Sequence, residues 1–209
     1  MGSTIRARGW CVAAMSQTLW SVTDPDGWRA ALAGYPAAIE QRSVARLPAL
    51  DAWYREMLPA AVTSRTPMHV THEEMVRVTE WKMARGVWRA PNLVLVRGNT
   101  PASVIEASSR AAELRDQPAK AIAALIALAG VGPATASAVL AIMAPEHFPF
   151  FDELVAAQVA DLGPVAWTTG YYRKYAAALI ARAAQLGHGW TASMMEQALW
   201  SHAILHGTP

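Results

Sequence analysis

Cysteine is almost missing from this chain: Cys11 stands alone. An intramolecular disulfide is thereby excluded, and so is an iron–sulfur cluster held by four thiolates. Charge is scarce too, at 16% Asp, Glu, Lys and Arg with a net of +2. A protein that coats nucleic acid by charge alone is more basic than this, so a nucleic-acid partner is compatible with the balance but not demanded by it. No apolar run reaches the length that spans a bilayer, and the first residues, "MGSTIRARGWCVAAMSQTLW", lack the pattern of a cleaved secretory signal. The expectation is a soluble intracellular protein, cytoplasmic or nuclear according to the organism, with no membrane partner. Phosphate loops of the GxxxxGK type and the elbow of a serine hydrolase are absent as well.

Alternation of β-branched and polar residues is almost absent, whereas alanine-rich, helix-favouring segments recur, so the chain reads as all-α. The 209 residues are 53% hydrophobic and suffice for one full core or two small lobes sharing a cleft. Helices are expected over about 12–22, 25–32, 39–62, 72–84, 101–113, 119–127, 134–143, 153–160, 171–185 and 192–206. Thr71 with Glu74 has the form of a capping box. Asp24, Thr100 and Gln117, each ahead of a proline, mark further starts, and Gly187 marks a stop. Breaks are expected at "SRTPMHVT" and at "RGVWRAPNLVLVRGNTP". The first separates an amino-terminal helical section, residues 1–66, from a helical body, residues 67–209, and the section is expected to pack with the last helices. Most of the nine tryptophans belong in the core or around a pocket.

The stretch "LAGVGPATASAVL", Leu128 to Leu140, carries the most specific signal. Gly130 suits a left-handed end to one helix, Pro133 suits the first turn of the next, and Gly132 lets a foreign phosphate approach the backbone. Amides at the start of the second helix lack partners and sit at the positive end of its dipole, which is a grip for a nucleic-acid backbone without sequence reading. This pattern, within residues 119–143, resembles the helix-hairpin-helix motif of DNA repair proteins. The following "FPFFDELVAAQV" places Asp152 twenty residues after Gly132, a layout similar to that of the helix-hairpin-helix DNA glycosylases and most like their adenine-specific branch.

The resemblance implies a two-lobed helical fold, double-stranded DNA as partner, damaged or mismatched, and Gly130, Val131, Gly132, Ala134 and Thr135 as the DNA-binding hairpin. It also implies catalysis by Asp152, and it allows a monovalent cation at the hairpin, with no other cofactor. Asp ahead of "ELVAAQVA" is in addition a good helix cap, and a carboxylate held there is expected to stay ionised. Bifunctional members carry a lysine where this chain has Ala134, so the implied reaction is monofunctional hydrolysis of a base–sugar bond. The basic residue usual after the Asp is missing here. Together with "EWKMARGVWRAPN" and "WTASMMEQALW", the hairpin resembles a branch without hairpin lysine or iron–sulfur cluster, which adds a fold but no established substrate.

Trp81, Lys82 and Arg85, with Arg89 beyond them, mix cations with aromatic surface and suit an unstacked base, and Phe150 and Phe151 flank Asp152 as walls of the same pocket. For each residue singly, core packing or a solvated face is the plainer alternative. Arg173 and Lys174 open a helix, where cations oppose the dipole unless a phosphate is near. His202 and His206 have chelating spacing but no third ligand. The competing readings are a nucleic-acid-binding module on the same scaffold and a helical protein that binds a nucleoside or other small molecule.

Overall fold

The structure, a computed structural model, describes residues 18–187 and 189–207. Cys11 and the start of the helix expected over 12–22 lie outside the described residues; the visible end, Leu19–Ser21, is a single 3-10 turn. Twelve α-helices follow, and among the described residues there is no strand. They are α1 Pro25–Ala33, α2 Tyr35–Gln41, α3 Leu47–Ala52, α4 Leu58–Thr63, α5 His72–Arg85, α6 Ala90–Arg97, α7 Pro101–Glu113, α8 Pro118–Ile126, α9 Pro133–Met143, α10 Glu153–Ala156, α11 Thr169–Leu186 and α12 Ala192–His206. No helix among them is long and apolar enough to cross a membrane.

Local chemistry explains most of the boundaries. Asp24, Thr71, Thr100, Asp152, Thr168 and Thr191 each accept a backbone N–H of the helix they precede, and Thr71 with Glu74 closes a complete capping box. Gly187, at φ 94°, ends α11 as expected. Two expectations are corrected. The helix expected over 39–62 is broken after Gln41, where Ser43 takes φ 55° and the chain turns before Pro48 enters the first turn of α3. A π-turn, Trp53–Met57, then joins α3 to α4: Pro59 has no N–H to give to the carbonyl four residues back, and Leu58 bonds instead to Trp53, five residues back. The second correction is α6, which occupies the stretch expected to be a break. It buries only Leu93 and Val96 and leaves Val94 and Leu95 exposed, so its pattern is too weak to read as a helix.

The core is organised on two helices. Every side chain of α9 from Ala134 to Met143 is buried, with α4, α5, α7 and α8 around it. α12 contacts α1 and α2 as well as α10 and α11. Trp28, Trp81 and Trp200 are fully buried between these groups. α8 and α9 meet at the glycine turn, and α6 lies against that turn. A Cβ on Gly130, which has φ +74°, would stand 2.6 Å from the Asn92 carbonyl oxygen and 2.9 Å from the Val96 nitrogen. The Asn99 side chain closes the same junction, donating to the Ala129 carbonyl at 2.9 Å and accepting from the Ala129 N–H at 2.9 Å.

Gly130→Ala combines a disfavoured left-handed backbone with overpacking against main chain, and should cost about 2–5 kcal/mol. Gly132→Ala meets open space and should change stability by less than about 0.5 kcal/mol. Urea unfolding of the two variants checks the contrast; equal midpoints would refute it.

Candidate nucleic-acid and catalytic cleft

The sequence brings Asp152 to its position through a bolted loop. Phe151 donates its N–H to the Ser137 hydroxyl at 2.9 Å, and that hydroxyl donates to the Ala134 carbonyl at 3.0 Å. The carbonyls of Pro149 and Phe150 accept from the Tyr172 and Tyr175 hydroxyls, at 3.1 and 2.7 Å. "FPFFD" is thus tied at one edge to α9 and at the other to α11. Asp152 follows at once, capping α10 through Oδ1, which accepts the Leu154 N–H at 2.9 Å.

Asp152 opens into a cleft of about 420 Å3, a size suited to a small organic ligand. Its walls are the start of α9 (Gly132, Pro133, Ala134, Thr135), the end of α5 with the following loop (Lys82, Arg85, Gly86, Val87, Arg89), Arg42, Asn92, the loop residues Phe150 to Leu154, and Trp167. Gly132 caps α9 without a side chain to offer, and the amides of Ala134 and Thr135 have no hydrogen-bond partner among the described residues. The cleft therefore presents free N–H groups at the positive end of an eleven-residue helix, beside Arg42, Lys82 and Arg89 and the buried Arg85.

Of the residues expected at the hairpin, Gly132, Ala134 and Thr135 line this cleft, while Gly130 and Val131 do not. Gly130 is spent on the turn against α6, and the Val131 side chain is in the core, 5% exposed. Of the expected base pocket, Lys82, Arg85, Phe150 and Phe151 line the cleft, and Trp81 is a correction. It is fully buried, stacked on Tyr54 at 3.6 Å and donating its indole N–H to Asp51 Oδ1 at 2.8 Å. The one-residue step from Lys82 turns the side chain by the helical 100°, away from the cleft and into the core. Trp167 and Arg42 are cleft residues that the sequence does not flag, since each lies in an irregular connection distant in sequence from the hairpin.

Arg85 reaches the cleft floor from inside the core. It is 0% exposed, and its Nη2 lies 2.6 Å from Glu196 Oε1 and 3.6 Å from Asp152 Oδ2. Its guanidinium also lies 4.2 Å from the Trp200 ring centroid and 5.2 Å from those of Trp81 and Phe150. Burial works against its charge, but Glu196, Tyr35 and Asp152 more than offset this and raise its pKa, so it stays a cation. Burial pushes the Asp152 carboxyl above the usual carboxylate value, against the opposing pull of Arg85 and of the Leu154 and Val155 amides. The helix cap alone, which suggested an undisturbed carboxylate, is outweighed by desolvation. Lys82 is lowered, first by burial and then by Arg89, with Asp152 opposing.

Arg173 belongs to a separate hollow of about 120 Å3 with Pro118, His147 and Tyr172, and neither it nor Lys174 lines the cleft. The His202 and His206 rings lie 4.9 Å apart, and among the described residues no group of three metal-binding side chains forms. At the hairpin, the carbonyls of Leu128 and Ala129 already accept from the Val131 N–H and the Asn99 side chain. The turn is therefore closed by its own hydrogen bonds.

Comparison of the chain with protein-family models, with curated proteins and with solved structures returns no match.

Arg85→Met would leave the buried Glu196 without its 2.6 Å partner and with only Arg55, 3.6 Å away, as counter-charge, at an expected cost of about 3–5 kcal/mol, with part recovered in the double variant Arg85→Met/Glu196→Gln. Losing the guanidinium also removes the charge that holds the Asp152 carboxyl down, so this group should titrate at still higher pH. Denaturant unfolding and a carboxyl 13C NMR titration measure the two effects; a stable Arg85→Met with an unmoved Asp152 would contradict the arrangement.

Proposed function

We propose that this protein binds double-stranded DNA through its glycine hairpin and hydrolyses the base–sugar bond of an extruded nucleotide at Asp152, as a monofunctional helix-hairpin-helix glycosylase. The observation that carries this reading is the opening of the free α9 N-terminus and of Asp152 into one cleft. The amides of Ala134 and Thr135 would hold a backbone phosphate, with Lys82 and Arg89 neutralising its neighbours. A nucleotide turned out of the stack then enters between the hairpin and the Phe150–Asp152 loop. As the bond from the anomeric carbon to the base nitrogen stretches, positive charge grows on the sugar, and the Asp152 carboxylate faces it. Water adds to that carbon, its proton passes to Asp152, and the base leaves with the bonding pair. Ala134 brings no amine to the sugar, so the strand stays intact. On this reading the section 1–66 and the body form two lobes around the cleft.

One observation favours a second reading, a binding module that holds DNA without cutting it. Asp152 is only 7% exposed, one oxygen caps α10, and the other faces Arg85. Such a carboxylate also serves simply to fix the loop.

Base release from a panel of damaged and mismatched duplexes separates the two. Asp152→Asn should abolish release and leave DNA binding in place; release by this variant would overturn the enzyme reading, and no release by the wild type would favour the module. Because Asp152 works as a carboxylate and burial raises its pKa, activity should fall on acidification with a midpoint above the ordinary aspartate value. Gly132→Asp puts bulk and negative charge at the phosphate, and should weaken DNA binding about ten-fold or more at low salt. No DNA affinity in the wild type would sink both readings and leave a small-molecule pocket.

A further inference from the structure

Trp167 is an unusual side chain for its surroundings. It sits in the irregular connection from Ala157 to Thr168, between α10 and α11, and is 44% exposed although it lines the cleft. The connection is held in shape by a turn at Asp161 and Gly163, both at positive φ, and by the Tyr171 hydroxyl donating to the Gly163 carbonyl at 3.3 Å. One side of the Trp167 ring is secured. It packs on Phe151 at 4.8 Å between centroids, and Phe151 is itself stacked on Tyr171 at 5.6 Å and 20°. Trp167 is thus the outermost member of an aromatic cluster rooted in the core. Much of its ring is left to solvent, one residue along the cluster from Asp152.

In paired DNA each base face is covered by its neighbours, so an exposed indole gains nothing from an intact duplex. An unpaired base offers a bare π-face of any sequence, and stacking on an aromatic side chain is worth about 1–3 kcal/mol. We infer that Trp167 is the stacking platform that makes this cleft prefer an unpaired nucleotide over a paired one, without reading which base it is. The inference rests on the nucleic-acid reading above and adds to it a residue for selection of the extruded base. Purely apolar bulk at this position would keep the surface covered but lose the π-face, which separates recognition from packing.

The test compares a duplex carrying 2-aminopurine in a one-nucleotide bulge with the same duplex fully paired, using fluorescence and direct affinity measurements at low salt. The wild type should prefer the bulge and change its 2-aminopurine emission. Trp167→Ala and Trp167→Leu should each reduce the preference roughly five- to hundred-fold, while Trp167→Phe retains most of it. Gly132→Asp should weaken both duplexes and leave their ratio unchanged. A bulge preference that survives in Trp167→Leu overturns the role of Trp167 and leaves the hairpin reading standing. Equal wild-type affinity for both duplexes also overturns it alone, and no binding to either overturns it together with the DNA-binding proposal.

Discussion

The fully buried guanidinium of Arg85 is the interaction on which the arrangement turns. A cation with no solvent must find its compensation in place, and here it comes from Glu196 on α12, Asp152 at the head of α10 and the rings of Tyr35, Trp81, Phe150 and Trp200. Glu196, Asp152, Phe150 and Trp200 all stand more than sixty residues from Arg85 in the chain, so the charge ties the cleft floor to the core. Glu196 also faces Arg55, which with Tyr35, Trp81 and Asp51 continues the polar network through α2, α3 and the π-turn. A network like this adds little net stability by itself, because desolvation nearly cancels the attraction, but it penalises any packing that leaves a member unpaired. The position of Asp152 inherits that selectivity.

A second constraint is steric. Gly130 brings the hairpin against the backbone of α6 so closely that no side chain fits, and Gly132, two residues on, faces empty space. The two glycines of one short motif thus have opposite uses: the first fastens the turn to the body, and the second keeps the helix N-terminus open. Free amides, a buried carboxylate and an exposed indole then surround the same volume. Charge is concentrated there in a chain that otherwise has little of it.

The fold class was legible because helix-favouring composition and caps are local. Thr71 with Glu74, Thr191 and Gly187 mark helix ends in any context, and Asp152 reads as a helix start for the same reason. The break at Ser43 was not legible, since serine at positive φ carries no local signature, and α6 was missed because it buries only Leu93 and Val96 and so shows no clear apolar face. At the cleft, Lys82 and Arg85 share a face by helical spacing alone. That Trp81 turns inward, or that Arg85 is neutralised by Glu196, follows from which face of α5 meets α9 and the π-turn.

By itself, the sequence determined the all-helical character, the glycine turn between two helices and the carboxylate at a helix start, because backbone preference and hydrogen-bonding chemistry act within a few residues. Tertiary structure alone decided that the hairpin, Lys82, Arg89, Asp152 and Trp167 border one cleft, and that desolvation raises the carboxyl that its cap would lower. Burial and electric field are sums over all neighbours in space, and in this chain those neighbours come from both ends of it.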